Sequence, residues 1–225
     1  YEIMPSLVGS EMCIRDRDYP SRPAKSLRSS VCLLTCEAYG GNIEKALITA
    51  SSLDLFQNWI LIHDDIEDQS ELRRGAPALH HKYTVPLAIN AGDALHGKMW
   101  SFLYNNRNIL DNETTLLVIN EFLNMLNETT EGQHMELSWV HENQWNIKQD
   151  DYFTMCKKKT SWYTCITPCR LGNLIATNTN LKQNDFVNFG EDLGIAFQIR
   201  DDILNLVAGN TVSYTHLTLP TILLV

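Results

Sequence analysis

Two aspartate-rich segments constrain this chain more than anything else in it. Asp64-Asp65-Ile66-Glu67-Asp68 and Asp201-Asp202-Ile203-Leu204-Asn205 each sit at the end of an apolar run with helical spacing. Carboxylates crowded onto apolar helices repel one another unless positive charge stands between them. Two such clusters imply a helix-lined cavity that holds divalent cations and, behind them, an anionic ligand such as a diphosphate.

The rest of the chain reads as helix. Residues 26–39 carry apolar positions at helical spacing and stop at Gly40-Gly41. Asn42 is placed to cap a helix over 43–66. A polar loop with Gly75 and Pro77 follows, and Pro86 suits the first turn of a helix reaching Tyr104. Asp111 or Asn112 opens another that reaches His141. A fifth covers 149–177, where Pro168 is expected to introduce a kink, and a sixth covers 184–207. Strand alternation is rare and no repeat recurs at a fixed period. Long helices with short joins predict an all-α, antiparallel helical bundle, whose core can host a metal site.

Composition narrows the function. With 18 Lys+Arg against 27 Asp+Glu the net charge is −9, the opposite of what a nucleic-acid backbone attracts. No uninterrupted apolar stretch reaches the roughly 18 residues of a membrane span, so no transmembrane segment is expected. Cys32, Cys36, Cys156, Cys165 and Cys169 include two pairs at i, i+4 spacing without a CxxC. They fit reduced, buried thiols of a cytoplasmic protein better than a zinc site.

The two ends have a different character. ATG TGT ATA AGA GAC encodes Met12 to Asp16, and its reverse complement encodes Val212 to His216. The surrounding runs LVGSEMCIRD and VSYTHLTLPT resemble translated sequencing adapters. Residues 1–17 and 212–225 are therefore expected to be adapter-derived, leaving 18–211 as the domain. That domain is expected to be cut just after the second aspartate motif.

Asp64 and Asp68 are an i, i+4 pair, so their carboxylates share one helix face. Two carboxylates completed by phosphate oxygens and water suit octahedral magnesium. Alone, such a cluster is more often a solvated acidic helix end. The apolar Ile60, Leu61 and Ile62 before it and Arg73-Arg74-Gly75 after it favour a metal–diphosphate–arginine cage, because guanidinium forks match phosphate oxygens. Asp201 and Asp202 are likewise set among Ile195, Phe197, Ile199 and Ile203, next to Gln198. Asn205 can offer a cation its carbonyl but no charge. Lys25 and Arg28 are three apart where a helix begins and exposes free N–H groups, although bare spacing describes a solvated face equally well. Lys157, Lys158, Lys159 and Thr160 form a second basic cluster, of which at most one or two lysines can face inward. Gln57 lies two turns before Asp64 on the same face, whereas His63 reads as a packing residue.

Taken together, LIHDDIEDQSELRRGAPALH, NAGDAL, GQHMEL, KKTSWYT and FQIRDDILN resemble the trans-isoprenyl diphosphate synthases (polyprenyl synthetases) across 18–211, in the family's order. The resemblance implies an all-α isoprenoid synthase-type bundle, lacking its C-terminal helices here. It also implies a homodimer and head-to-tail condensation of isopentenyl diphosphate with an allylic diphosphate. Magnesium would be held by Asp64, Asp68 and Asp201. Arg73, Lys159 and Gln198 look like the family's helpers at the allylic diphosphate, and Thr160 would steady the cation. Lys25, Arg28 and Arg74 would bind isopentenyl diphosphate, with Gln57 where many relatives have His.

Two departures stand out. The family's Gly-Gly-Lys-x-x-Arg opening is Pro23-Ala24-Lys25-x-x-Arg28 here, and the second motif ends in Asn205. The family's further downstream lysine is absent, so this chain is expected to be inactive by itself even where its parent is an enzyme. Trp59 and Ile60, one turn before the first motif, look like the floor of the elongation cavity. With no two-residue insertion in that motif, they imply a short product, geranylgeranyl or farnesyl diphosphate. The competing readings are a class I terpene cyclase, which needs no second diphosphate site, and a non-catalytic partner subunit of a synthase.

Overall fold

The computed structural model describes residues 10–179 and 183–207, without the side chains of residues 10–14, 183, 205 and 206. Within them the protein is an all-α bundle. Its helices are α1 (Ser10–Ser21), α2 (Leu27–Ala38), α3 (Ile43–Glu67), α4 (Leu79–Lys82), α5 (Val85–Tyr104), α6 (Asn112–His141), α7 (Gln149–Cys156), α8 (Thr167–Thr177) and α9 (Gln183–Val207). A two-stranded hairpin, β1 (Leu72–Arg73) and β2 (Ala76–Pro77), follows α3.

The helix starts obey local chemistry. The Asn42 side chain accepts from Glu44 N at 2.9 Å, satisfying one of the free donors at the start of α3. Thr84 caps α5 and Asp111 caps α6 in the same way, the latter through Thr114 N at 2.8 Å. Gly40 takes the left-handed conformation (φ 76°) that ends α2. The main core joins α2, α3, α5, α6 and α8 through Cys32, Leu53, Phe56, Met99, Leu103, Phe122, Met125 and Leu171. Each fully buried side chain of this size contributes about 1.5–3 kcal/mol. Cys32, Cys36, Cys156, Cys165 and Cys169 are free and buried, as their spacing suggests.

The expected helix over 149–177 is three pieces. Between α7 and α8 the backbone of Lys157–Ile166 is π-helical, and Thr167 N closes this stretch on Trp162 O. The irregularity starts at Lys157 and ends at Ile166, so it lies upstream of Pro168, which occupies the first turn of α8. Neighbouring helices hold the segment tightly. A Cβ on Gly132 of α6 would lie 2.2 Å from Lys159 N, and one on Gly194 of α9 would lie 2.3 Å from Ser161 Oγ. Only glycine allows those two approaches.

Helix α1, the hairpin and α4 were not expected from periodicity. Helix α1 crosses the boundary at residue 17: Asp16 is buried and pairs with Lys98, and Tyr19 is buried with Ile62, Leu79 and Leu95. The stretch 212–225 and the side chain of Asn205 lie outside the described residues.

Candidate active site

The last turn of α3 puts its two kinds of aspartate on different faces. Asp65 is three positions after Ile62, and both are fully buried. Asp64 and Asp68 are half-buried on the adjoining face. A helix C-terminus already carries partial negative charge, so these carboxylates require cations nearby.

The hairpin supplies them. Its turn residues Arg74 and Gly75 have φ of 53° and 76°, the left-handed pair that a two-residue turn demands. This turn sends adjacent arginines in different directions. Arg73 grips Asp65, with Nε 2.9 Å from Oδ1 and 3.1 Å from Oδ2, and reaches Asp64 Oδ2 at 3.4 Å. Burial opposes its charge, but Asp65 and Asp64 outweigh burial and raise its pKa. Arg74 instead donates to Tyr19 O at 2.9 Å and to Asn58 Oδ1 at 3.0 Å.

The π-helical segment joins the two motifs. Lys159 lies 3.7 Å from Asp64 Oδ1 and pairs with Glu136. Burial works against its charge, yet Glu136, Asp64 and Asp68 together raise its pKa. The next residue, Thr160, is buried and donates to Gln198 Oε1 at 2.5 Å. Gln198 Nε2 donates to Asp202 Oδ1 at 2.9 Å, and the Tyr152 hydroxyl donates to the other oxygen of Asp202. Asp201, half-buried beside them, has its pKa raised by burial against the pull of Arg200, Arg28 and Lys25. Asp202 is raised by burial too, against the hydrogen bonds from Tyr152 and Gln198.

Of the residues expected for a second diphosphate, Gln57 and the Arg74 contact lie along one stretch of α3, whereas Arg28 faces the π-helical segment and Lys25 stays exposed. Ser29 Oγ donates to Asp54 Oδ2 at 2.9 Å, pinning the start of α2 one turn before Asn58, where Arg74 ends. Gln57 is half-buried between these two points. Arg28 is not on a solvated face. It is buried over the Tyr163 ring at 4.2 Å and donates to Thr164 Oγ1 at 2.9 Å, while its Nε has no partner among the described residues. Lys25 is exposed just ahead of α2.

Trp59 is half-buried and stacks on His96 of α5, with ring centroids 3.9 Å apart and planes within 7°. Trp100 Nε1 donates to His96 Nε2 at 2.7 Å, and Phe56 meets Trp59 edge-on at 5.4 Å. Ile60 packs, half-buried, against the main core.

Several side chains of the site carried no expected role. Gln133 bridges Glu67 at 2.6 Å and Asp64 at 3.5 Å, and Glu136 pairs with Lys159. Both belong to GQHMEL, so the motif was visible even though their roles were not. Tyr19 and Tyr152 gave no such signal.

Among the described residues no group of three or more His, Cys, Asp or Glu side chains is placed to hold a metal ion unaided. Magnesium suits this arrangement. It commonly binds one or two carboxylates and completes its octahedron with water and substrate phosphate. Asp64 and Asp68, a turn apart and faced by Arg73 and Lys159, offer that partial donor set.

A helical bundle with an aspartate-rich motif on each of two walls and cations between them is the architecture of an isoprenoid synthase. The polyprenyl synthetase family model matches residues 16–214, and the chain belongs to that family. It is 35% identical over 184 residues to the geranylgeranyl diphosphate synthase of Sulfolobus acidocaldarius, covering 82% of this chain and 55% of the relative. Its fold matches the geranylgeranyl pyrophosphate synthetase of Pyrococcus horikoshii with a TM-score of 0.81 at 32% identity, over 88% of this chain and 59% of that one. A geranylgeranyl pyrophosphate synthase from Corynebacterium glutamicum, solved with isoprenyl diphosphate and magnesium, matches with a TM-score of 0.78 at 27% identity, over 87% of this chain and 60% of that one. The chain thus spans little more than half the length of these relatives.

Proposed function

We propose that the chain is the motif-bearing part of a prenyltransferase that joins isopentenyl diphosphate head-to-tail to an allylic diphosphate. The observation that carries the reading is that consecutive residues serve both motifs: Lys159 reaches Asp64, and Thr160 reaches Gln198 beside Asp201 and Asp202. Asp64, Asp68 and Asp201 would hold magnesium. When bound, the metal would neutralise the allylic diphosphate and make it a leaving group.

The chain's own groups account for the other steps. Arg73 and Lys159 draw charge from the allylic diphosphate as its C1–O bond breaks. Lys25, Arg28, Gln57 and Arg74 hold the second diphosphate so that the isopentenyl double bond faces the allylic cation. That bond attacks C1, a new C–C bond forms, and the C2 proton leaves to the departed diphosphate. Thr160, fixed by Gln198, keeps oxygen lone pairs available to the cation. Trp59 and Ile60 close the far end of the cavity. With the geranylgeranyl relatives, they support a geranylgeranyl or farnesyl product.

Further readings follow from the same family. Leu116 and Leu123, seven positions apart on α6, and Val85 and Ile89, four apart on α5, are exposed, which supports a homodimer. Free buried thiols support a cytoplasmic setting.

The test mixes the full-length protein that contains this chain with magnesium, labelled isopentenyl diphosphate and an allylic C10 or C15 diphosphate. A longer allylic diphosphate supports the reading. Release of a hydrocarbon would move it to a terpene cyclase. Tight binding of magnesium and diphosphate without turnover, with turnover gained on adding a synthase, would identify a partner subunit.

A further inference from the structure

Resting on that reading, we infer that Tyr19 is a positioning residue for the two substrate arginines. Tyr19 is fully buried, and its hydroxyl donates to Asp65 Oδ2 while accepting from Leu79 N at 3.1 Å. Asp65 uses its carboxylate to hold Arg73. The hydroxyl therefore fixes Asp65, and Asp65 fixes the guanidinium that is to meet the allylic diphosphate. The backbone carbonyl of the same residue accepts from Arg74 Nη1 at 2.9 Å. One residue thus sets the direction of both arginines, by its side chain for Arg73 and by its main chain for Arg74.

The residue just after α1 reinforces the arrangement. Arg22 stacks over the Tyr19 ring at 4.5 Å and donates to Arg73 O at 2.7 Å and Pro77 O at 2.8 Å. The hairpin is consequently tied at Arg73 and Pro77 to the segment that leaves α1. A guanidinium fork recognises a diphosphate only when its plane is fixed, so losing the brace should weaken recognition more than folding.

The test uses Tyr19→Phe, which removes one oxygen and keeps the ring. Binding of inorganic diphosphate in the presence of magnesium is measured by calorimetry, alongside the melting temperature. Lys98→Ala, which loosens α1 at Asp16 instead, serves as the control. Tyr19→Phe should weaken diphosphate binding about tenfold, as expected for the loss of a hydrogen bond to a charged group. Lys98→Ala should lower the melting temperature without that loss. In an Arg73→Gln background, Tyr19→Phe should change the affinity little, because its effect runs through Arg73. Parental affinity in Tyr19→Phe overturns the inference and leaves the prenyltransferase reading standing. Equal losses in Tyr19→Phe and Lys98→Ala overturn it as well, since the role is then only structural. If the parent chain binds no diphosphate, the functional reading fails and the inference fails with it.

Discussion

The Lys159 ammonium stands 3.7 Å from Asp64 Oδ1 while it also pairs with Glu136. It is the cation of the π-helical segment that reaches the first aspartate motif. Its backbone is pressed against Gly132, so it has little freedom to retreat. Replacing it by Gln keeps length and polarity but removes the charge that meets the leaving diphosphate. Lys159→Gln should lower kcat/KM for condensation by about 10²-fold or more, the scale of losing one preorganised electrostatic donor. Steady-state assays of the full-length protein at saturating magnesium check this, and a loss under threefold would move Lys159 to a purely structural role.

The carboxylates make a second prediction. Asp64 and Asp201 are half-buried near the ends of apolar helices, and Asp64 meets Arg73, Lys159 and Gln133 through polar contacts rather than core packing. Asp64→Ala or Asp201→Ala should abolish condensation while circular dichroism reports parental helix content. Near-parental turnover in either variant would remove the metal assignment. Tyr152 and Gln198 hold Asp202 and not Asp201, so Asp202→Ala should disturb packing near α7 as well as turnover.

Much of this frame is legible in the residues, for definite reasons. Helices α2, α3, α5, α6 and α9 announce themselves because apolar spacing and capping residues such as Asn42 and Asp111 act locally. The motif aspartates and the arginine pair are legible because like charges so close together demand a ligand. The π-helical register at Lys157–Ile166 is not legible, because residues 149–177 keep an ordinary helical pattern and the register is set by the approach of α6 and α9. The bond from Tyr19 to Asp65 spans most of α2 and α3 and leaves no mark on either local sequence. Asp65 itself was within reach: at i+3 from Ile62 it falls on the core side, and a carboxylate there must have buried partners.

Alkaline pH should weaken the fold in a predictable window. Burial raises the Cys165 thiol to about 11 and the Cys156 thiol to about 12, from an ordinary 9.0. Burial, followed by the neighbouring Asp65, also pushes the Tyr19 hydroxyl above its usual range. In each case the folded state favours the protonated form. Their contribution is complete below the unfolded pKa and is lost as pH climbs through the folded one. Urea unfolding monitored by fluorescence should give a steady free energy up to about pH 9 and a falling one from there to about pH 12. Cys156→Ala should make that decline shallower. A flat profile from pH 9 to 11 would mean that these groups titrate alike in the folded and unfolded states, and that burial does not shift them.

Trp59 carries the prediction on product length. Its indole stacks on His96, which is itself fixed by Trp100, so three aromatic side chains close the space between α3 and α5. Trp59→Ala removes the bulk one turn before the first motif and opens a cavity. The truncation should cost about 3 kcal/mol of stability, since the ring is well packed. It should also let the growing chain pass, so the product lengthens by at least one isoprene unit on chromatography. Two measurements separate the alternatives. Lower stability with a longer product identifies Trp59 as the floor of the cavity. Lower stability with unchanged chain length means that the stack belongs to the core and that the floor lies elsewhere. His96→Ala then serves as a cross-check, because it withdraws the surface against which Trp59 is held and should lengthen the product in the first case only.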